Sequence, residues 1–115
     1  LYGTLKRENQ KSYDVRLAFL YDQSNDDVKI ISNSDYGSSR INQLSKNDIA
    51  VGWIESRIKR KNERDDRLIR EAFIYDPTQN KIRKPIINST NSNHYYNSEA
   101  TAISENGEFF VGWVE

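Results

Sequence analysis

The chain has 115 residues and a mass of 13.5 kDa, which is one domain or a piece of one. Seventeen Lys and Arg balance 17 Asp and Glu, so no net basic charge is available to hold a polyanion such as nucleic acid. With no cysteine and a single histidine, His94, the sequence excludes disulfides, thiolate or two-histidine metal sites, and cysteine nucleophiles. No apolar run approaches the ~18 residues of a membrane-spanning helix, so no membrane insertion is expected. The chain begins at Leu1 and contains no Met, as expected of a processed product or an excised fragment. Aromatic and β-branched residues mixed with Asn, Ser and Asp point to strands and turns.

In chain order, Leu1-Tyr2-Gly3-Thr4-Leu5 reads as a glycine-containing strand, followed by a charged loop from Lys6 to Asp14. Val15 to Tyr21 begins with alternation and ends almost wholly apolar, which suits a strand whose far end is buried on both faces. Asp22 to Asp27 is a turn, a third strand follows, and a variable loop covers Asn33 to Ser39. Leu44-Ser45-Lys46-Asn47 ends a strand that enters a hairpin at Asn47-Asp48. Val51-Gly52-Trp53-Ile54-Glu55 leaves it. The order then starts again.

Val51 to Glu55 returns as Val111-Gly112-Trp113-Val114-Glu115, 60 residues on. Ala18-Phe19-Leu20-Tyr21-Asp22 returns as Ala72-Phe73-Ile74-Tyr75-Asp76, 54 residues on, and Leu44 to Asn47 returns as Ile103-Ser104-Glu105-Asn106, 59 residues on. Three matched blocks in one order establish an internal duplication. The offset grows mainly in the polar stretch Asn88 to Ser98. Arg57 to Arg67 has one apolar residue, Ile58, and no helical stripe, so it is expected as an exposed hairpin loop equivalent to Lys6–Asp14. Asn106-Gly107 predicts a type I′ hairpin with two left-handed residues, and Asn47-Asp48 a weaker version. Asp76-Pro77-Thr78-Gln79-Asn80 is a turn with proline presetting φ. The expected fold is all-β: antiparallel meanders, one sheet per unit, like two adjacent propeller blades within a larger or oligomeric assembly. Residues 1–52 form the first unit, and 53–115 the second plus the first strand of a third.

Ala18-Phe19, Ala72-Phe73 and the run Ala102-Ile103-Ser104-Glu105-Asn106-Gly107-Glu108-Phe109-Phe110-Val111-Gly112 resemble the HAF repeats of bacterial extracellular proteins. Leu17 and Glu71 stand where that motif has His, and Asp48 stands where Gly107 does. The resemblance implies propeller-like blades in a surface or secreted protein, without established chemistry.

Each residue group with chemical potential has an architectural reading beside the functional one. Trp53 and Trp113 could be platforms for sugar or peptide, but repeat-equivalent aromatics bury area where units stack. Asp22 and Asp76 could ligate calcium, yet lack dense ligand spacing and read as turn caps. Glu63, Asp65 and Asp66 are the one acidic cluster for carboxylate catalysis, interleaved with Arg60, Lys61, Arg64 and Arg67 in a solvated loop. The same cations could take phosphate, which the zero net charge opposes. His94-Tyr95-Tyr96 lies in the longest polar loop, the first place to look for recognition, and Asn88-Ser89-Thr90 is a glycosylation sequon. No catalytic, cofactor or metal residues are assigned. The expectation is a non-catalytic structural or protein-interaction module, associating with a protein partner or its own copies through residues 1–5 and 108–115. The alternative is a fragment of a larger propeller, a hydrolase or carbohydrate binder, with its site partly outside this chain.

Overall fold

The computed structural model describes residues 1–8, 14–31, 37–58, 67–85 and 97–115. Among these residues nine strands run in chain order: β1 (Tyr2–Glu8), β2 (Asp14–Asp22), β3 (Asp27–Ile31), β4 (Ser39–Leu44), β5 (Ala50–Ile58), β6 (Arg67–Asp76), β7 (Lys81–Arg83), β8 (Ser98–Ile103) and β9 (Phe110–Val114). Every pairing is antiparallel. The all-β antiparallel fold follows from the alternating strands and their turns.

The strands form three sheets, β1-β2-β3, β4-β5-β6-β7 and β8-β9, here called sheets 1, 2 and 3. This corrects the expectation of one sheet per sequence unit. The strand that enters each tight hairpin joins the sheet of the strand that leaves it, so β4 sits beside β5 and β8 beside β9. Short hairpins force this pairing, whereas the variable loop before β4 lets it leave β3. The hairpin arms are also longer than expected. β1 and β2 pair out to Glu8 and Asp14, and β5 and β6 out to Ile58 and Arg67. Backbone pairing continues there although the side chains are charged.

Strand register lets the two matched halves of the sequence be compared position by position. Gly3 lies opposite Phe19 and Gly52 opposite Phe73, while Ile41 lies opposite Gly52 and Ala100 opposite Gly112. Both β4 and β8 carry a bulge one residue later, at Asn42 and Thr101. The glycines are what permit it. A Cβ on Gly52 would come within 1.8 Å of the Arg40 carbonyl oxygen, and one on Gly112 within 1.9 Å of that of Glu99.

Sheet 2 is buried on both faces. Ala50, Ile54, Phe73 and Tyr75 on one face pack with Ala18, Leu20 and Ile31 of sheet 1. On the other, Val51 and Ala72 pack with Ala100 and Ile103 of sheet 3. Alternation along β5 and β6 thus feeds two cores at once, whereas the far end of β2, expected to be buried on both faces, is covered on one, with Phe19 half-buried on the other. Polar latches join the layers. Ala18 N–H donates to Ser39 Oγ at 2.9 Å, and its equivalent Ala72 N–H donates to Ser98 Oγ at 2.8 Å. Likewise Arg16 N–H donates to Ser38 Oγ and Arg70 N–H to Asn97 Oδ1. The bonds at Arg16, Ala72 and Arg70 satisfy backbone donors beyond the paired length of the neighbouring strand, while at Ala18, Ser39 Oγ also donates to the Ile31 carbonyl opposite.

The turns repeat too, with one correction. Asp26 and Asn80 are left-handed at φ 50° and 48°, and receive hydrogen bonds from the Tyr21 and Tyr75 hydroxyls. At the tight hairpins, only Asp48 (φ 67°) and Gly107 (φ 77°) are left-handed. Asn106 is not, so the type I′ turn with two such residues does not form. The loop after β4 instead spans three residues closed by Ser45 N–H to the Ile49 carbonyl, and Glu108 lengthens the second loop by one. These lengths suit a single left-handed residue.

Candidate interaction site

At one end of the stack, β1 has no partner on its outer side among the described residues. Leu1 and Tyr21 exchange backbone hydrogen bonds, Tyr21 N–H to Leu1 O at 2.7 Å and the Leu1 ammonium to Tyr21 O at 3.3 Å. In an antiparallel ladder such exchange recurs at every second pair. Gly3 and Leu5 therefore bond toward β2, while the N–H and C=O groups of Tyr2 and Thr4 point outward. β5 uses the same phase toward β4, since Glu55 N–H donates to Ser38 O at 2.8 Å. A cleft of about 530 Å³ opens beside β1, with Tyr2, Gly3 and Thr4 on one wall and Ser39, Arg40 and Ile41 of β4 on the other. Tyr2 Oη reaches across to the Asn42 carbonyl at 3.5 Å.

The outward face of sheet 1 is apolar. Its Val28 and Ile30 are exposed and Phe19 is half-buried, whereas Phe73, the equivalent of Phe19, is fully buried inside the stack.

The opposite end repeats the contrast. Val51 is 0% exposed between sheets 2 and 3, and its equivalent Val111 is 63% exposed on the outward face of sheet 3. Trp53 is covered by the Arg70 guanidinium, 4.0 Å from the ring centroid, and Arg70 in turn bonds Glu99 Oε1 at 3.3 Å. Arg70 lies on β6 beside β5, so this is cation–π cover within sheet 2, and the Arg70–Glu99 pair is what reaches sheet 3. Among the described residues β9 pairs with β8 alone, and no cation covers Trp113. It lines a second cleft, about 280 Å³, with Glu55, Arg70, Asn97 and Glu115. Burial raises the pKa of Glu55 above its ordinary value, with the charge of Arg70 opposing.

The other sequence candidates fall apart from these ends. Asp22 Oδ1 accepts hydrogen bonds from the backbone and hydroxyl of Ser24 at 3.0 and 2.6 Å, and Asp76 Oδ1 from those of Thr78 at 2.9 and 2.7 Å. Both close their turns. The bonds from Ser24, then Asn25, hold the Asp22 carboxyl below its usual pKa. Glu63, Asp65 and Asp66 with Arg60, Lys61 and Arg64 lie outside the described residues, as do Asn88-Ser89-Thr90 and His94-Tyr95-Tyr96.

From the sequence, the repeated residues read as architectural and no polar constellation was expected to recur in both units; the recurring polar contacts correct the second expectation. The latches at Ser38/Asn97 and Ser39/Ser98, and the Tyr–turn bonds, recur in both units. Their signal was present as polar residues at offsets of 54 and 59. All of them join or close structural elements; Ser38 and Ser39 also line the first cleft and Asn97 the second. Among the described residues no three His, Asp or Glu side chains gather as a metal site, and no helix is long and apolar enough to cross a membrane. Compared with known proteins, the chain matches no family model, no curated protein and no solved structure.

Proposed function

We propose that this chain is a non-catalytic structural or protein-interaction repeat module that associates through its end strands, residues 1–5 and 108–115. The observation that carries the reading is the pair Val51 and Val111, equivalent in the repeat but 0% and 63% exposed. Burying such a side chain is worth about 1.5–3 kcal/mol, so an uncovered repeat face favours association. Strand edges unpaired among the described residues add hydrogen-bonding capacity to the same ends. The resemblance to HAF repeats would place the module on a bacterial surface or in a secreted protein, and that setting is part of the same proposal. A larger propeller with a ligand site completed by other segments is the alternative function, and the open clefts at both ends are what favour keeping it.

Sedimentation equilibrium at micromolar concentration tests the reading. Concentration-dependent association is expected, and deleting residues 109–115 should shift it. A stable folded monomer indifferent to the deletion would overturn the proposal.

A further inference from the structure

The open edge of β1 is built for one kind of strand. Its outward bonding groups, at Tyr2 and Thr4, are in the phase that β5 uses to hold β4. Gly3 stands in register with Gly52 and Gly112, and both of those lie opposite a bulged strand. The two strands that fill this position elsewhere share one pattern. β4 and the residue after it read Ser39-Arg40-Ile41-Asn42-Gln43-Leu44-Ser45, and β8 likewise reads Ser98-Glu99-Ala100-Thr101-Ala102-Ile103-Ser104. Serine opens and closes each, apolar residues face the core, and the bulge falls at the fourth position.

Resting on the association proposed above, we infer that β1 of one copy takes β8 of a second copy as its outer partner. β4 is already committed inside the four-stranded sheet 2. β8 has one strand partner, β9; its other holds on sheet 2, the packing of Ala100 and Ile103 and the bond from Ala72 N–H to Ser98 Oγ, have to be exchanged when it transfers. Moving from β9 to β1, it completes a four-stranded sheet β8-β1-β2-β3 with the order of sheet 2. It cannot do this within its own chain, because sheets 1 and 3 pack on opposite faces of sheet 2. The contact therefore joins different surfaces of the two copies and leaves one of each kind free, so copies add head to tail. Register follows from the repeat: Ser98 opposite Leu5, Glu99 opposite Thr4, Ala100 opposite Gly3 and Ala102 opposite Tyr2.

Cysteine pairing tests this directly, since the chain has no cysteine of its own. Thr4 and Glu99 would form a hydrogen-bonded pair with Cα atoms about 5.5 Å apart, within disulfide reach. The Thr4→Cys/Glu99→Cys protein should oxidise to a ladder of dimers, trimers and larger chains. Either single variant should stop at dimers, and Thr4→Cys/Thr101→Cys should cross-link several-fold less. A labelled synthetic peptide of residues 97–104 should also bind the unaltered protein saturably and more tightly than its scrambled form. A double variant giving no more than the single variants, together with a peptide that does not bind, overturns the inference. If sedimentation still shows association in that case, the proposed function stands and only the strand assignment fails. If the unaltered chain stays monomeric, both fail.

Discussion

Replacing Gly52 with alanine is expected to lower stability by about 3 kcal/mol, roughly 10 °C in Tm. The added Cβ would lie 1.8 Å from the Arg40 carbonyl oxygen and 3.0 Å from the Ile41 Cα. Both are backbone atoms, and β4 and β5 are fixed by cores on two faces of sheet 2, so neither strand can step aside. Gly112 offers an internal comparison. Its Cβ would meet the Glu99 carbonyl oxygen at 1.9 Å, but in a two-stranded ribbon with an exposed face. That ribbon can open, and Gly112→Ala should cost less than half as much. Thermal unfolding of both variants checks the pair, and equal losses would contradict the packing described for sheet 2.

Truncating Phe73 to alanine is expected to cost about 3–5 kcal/mol. Its ring is fully buried among Ala18, Leu20, Ile31 and the apolar face of sheet 2, where a cavity between two sheets cannot easily close. Phe19 occupies the equivalent position on the outward face of sheet 1 and is half-buried. Phe19→Ala should therefore cost about 1 kcal/mol when the protein is dilute. Denaturant unfolding at low concentration compares the two. A similar cost at both positions would mean that the outward face of sheet 1 is already covered.

These two phenylalanines show how far the sequence could be read. Ala18-Phe19 and Ala72-Phe73 announce equivalent strands, and the strand order was legible from alternation, turn residues and repeated blocks, with β3 and β7 placed by that order alone. The same repetition hides their different fates, because burial depends on which layer lies above and not on the strand's own residues. Sheet membership was hidden for a related reason. A repeat can be cut at any phase in sequence, and only the short loops between β4 and β5 and between β8 and β9 fix where a sheet begins. Lys6 and Arg57 read as loop residues from their charge, yet backbone pairing in a hairpin arm needs no apolar side chain. At both tight hairpins the loops span three or four residues and not two, so one left-handed residue suffices and Asn106 keeps ordinary φ.

The candidate ends were partly legible. Aromatic and apolar residues at both termini marked them as faces needing cover, but the bonding phase of β1 and the cleft beside it emerged only from the folded chain. Ser39 and Ser98 illustrate the limit. A serine that caps a backbone N–H in the next sheet looks like any loop serine until the sheets are stacked.

The account stands or falls on whether the outward backbone of β1 is an association surface. Amide hydrogen exchange at Thr4, measured across a range of protein concentrations, reports on it most directly. We predict that Thr4 exchanges rapidly when dilute and slows severalfold as concentration rises, while the Phe73 amide stays slow throughout. A Thr4 amide that exchanges at one fast rate at every concentration would contradict the account.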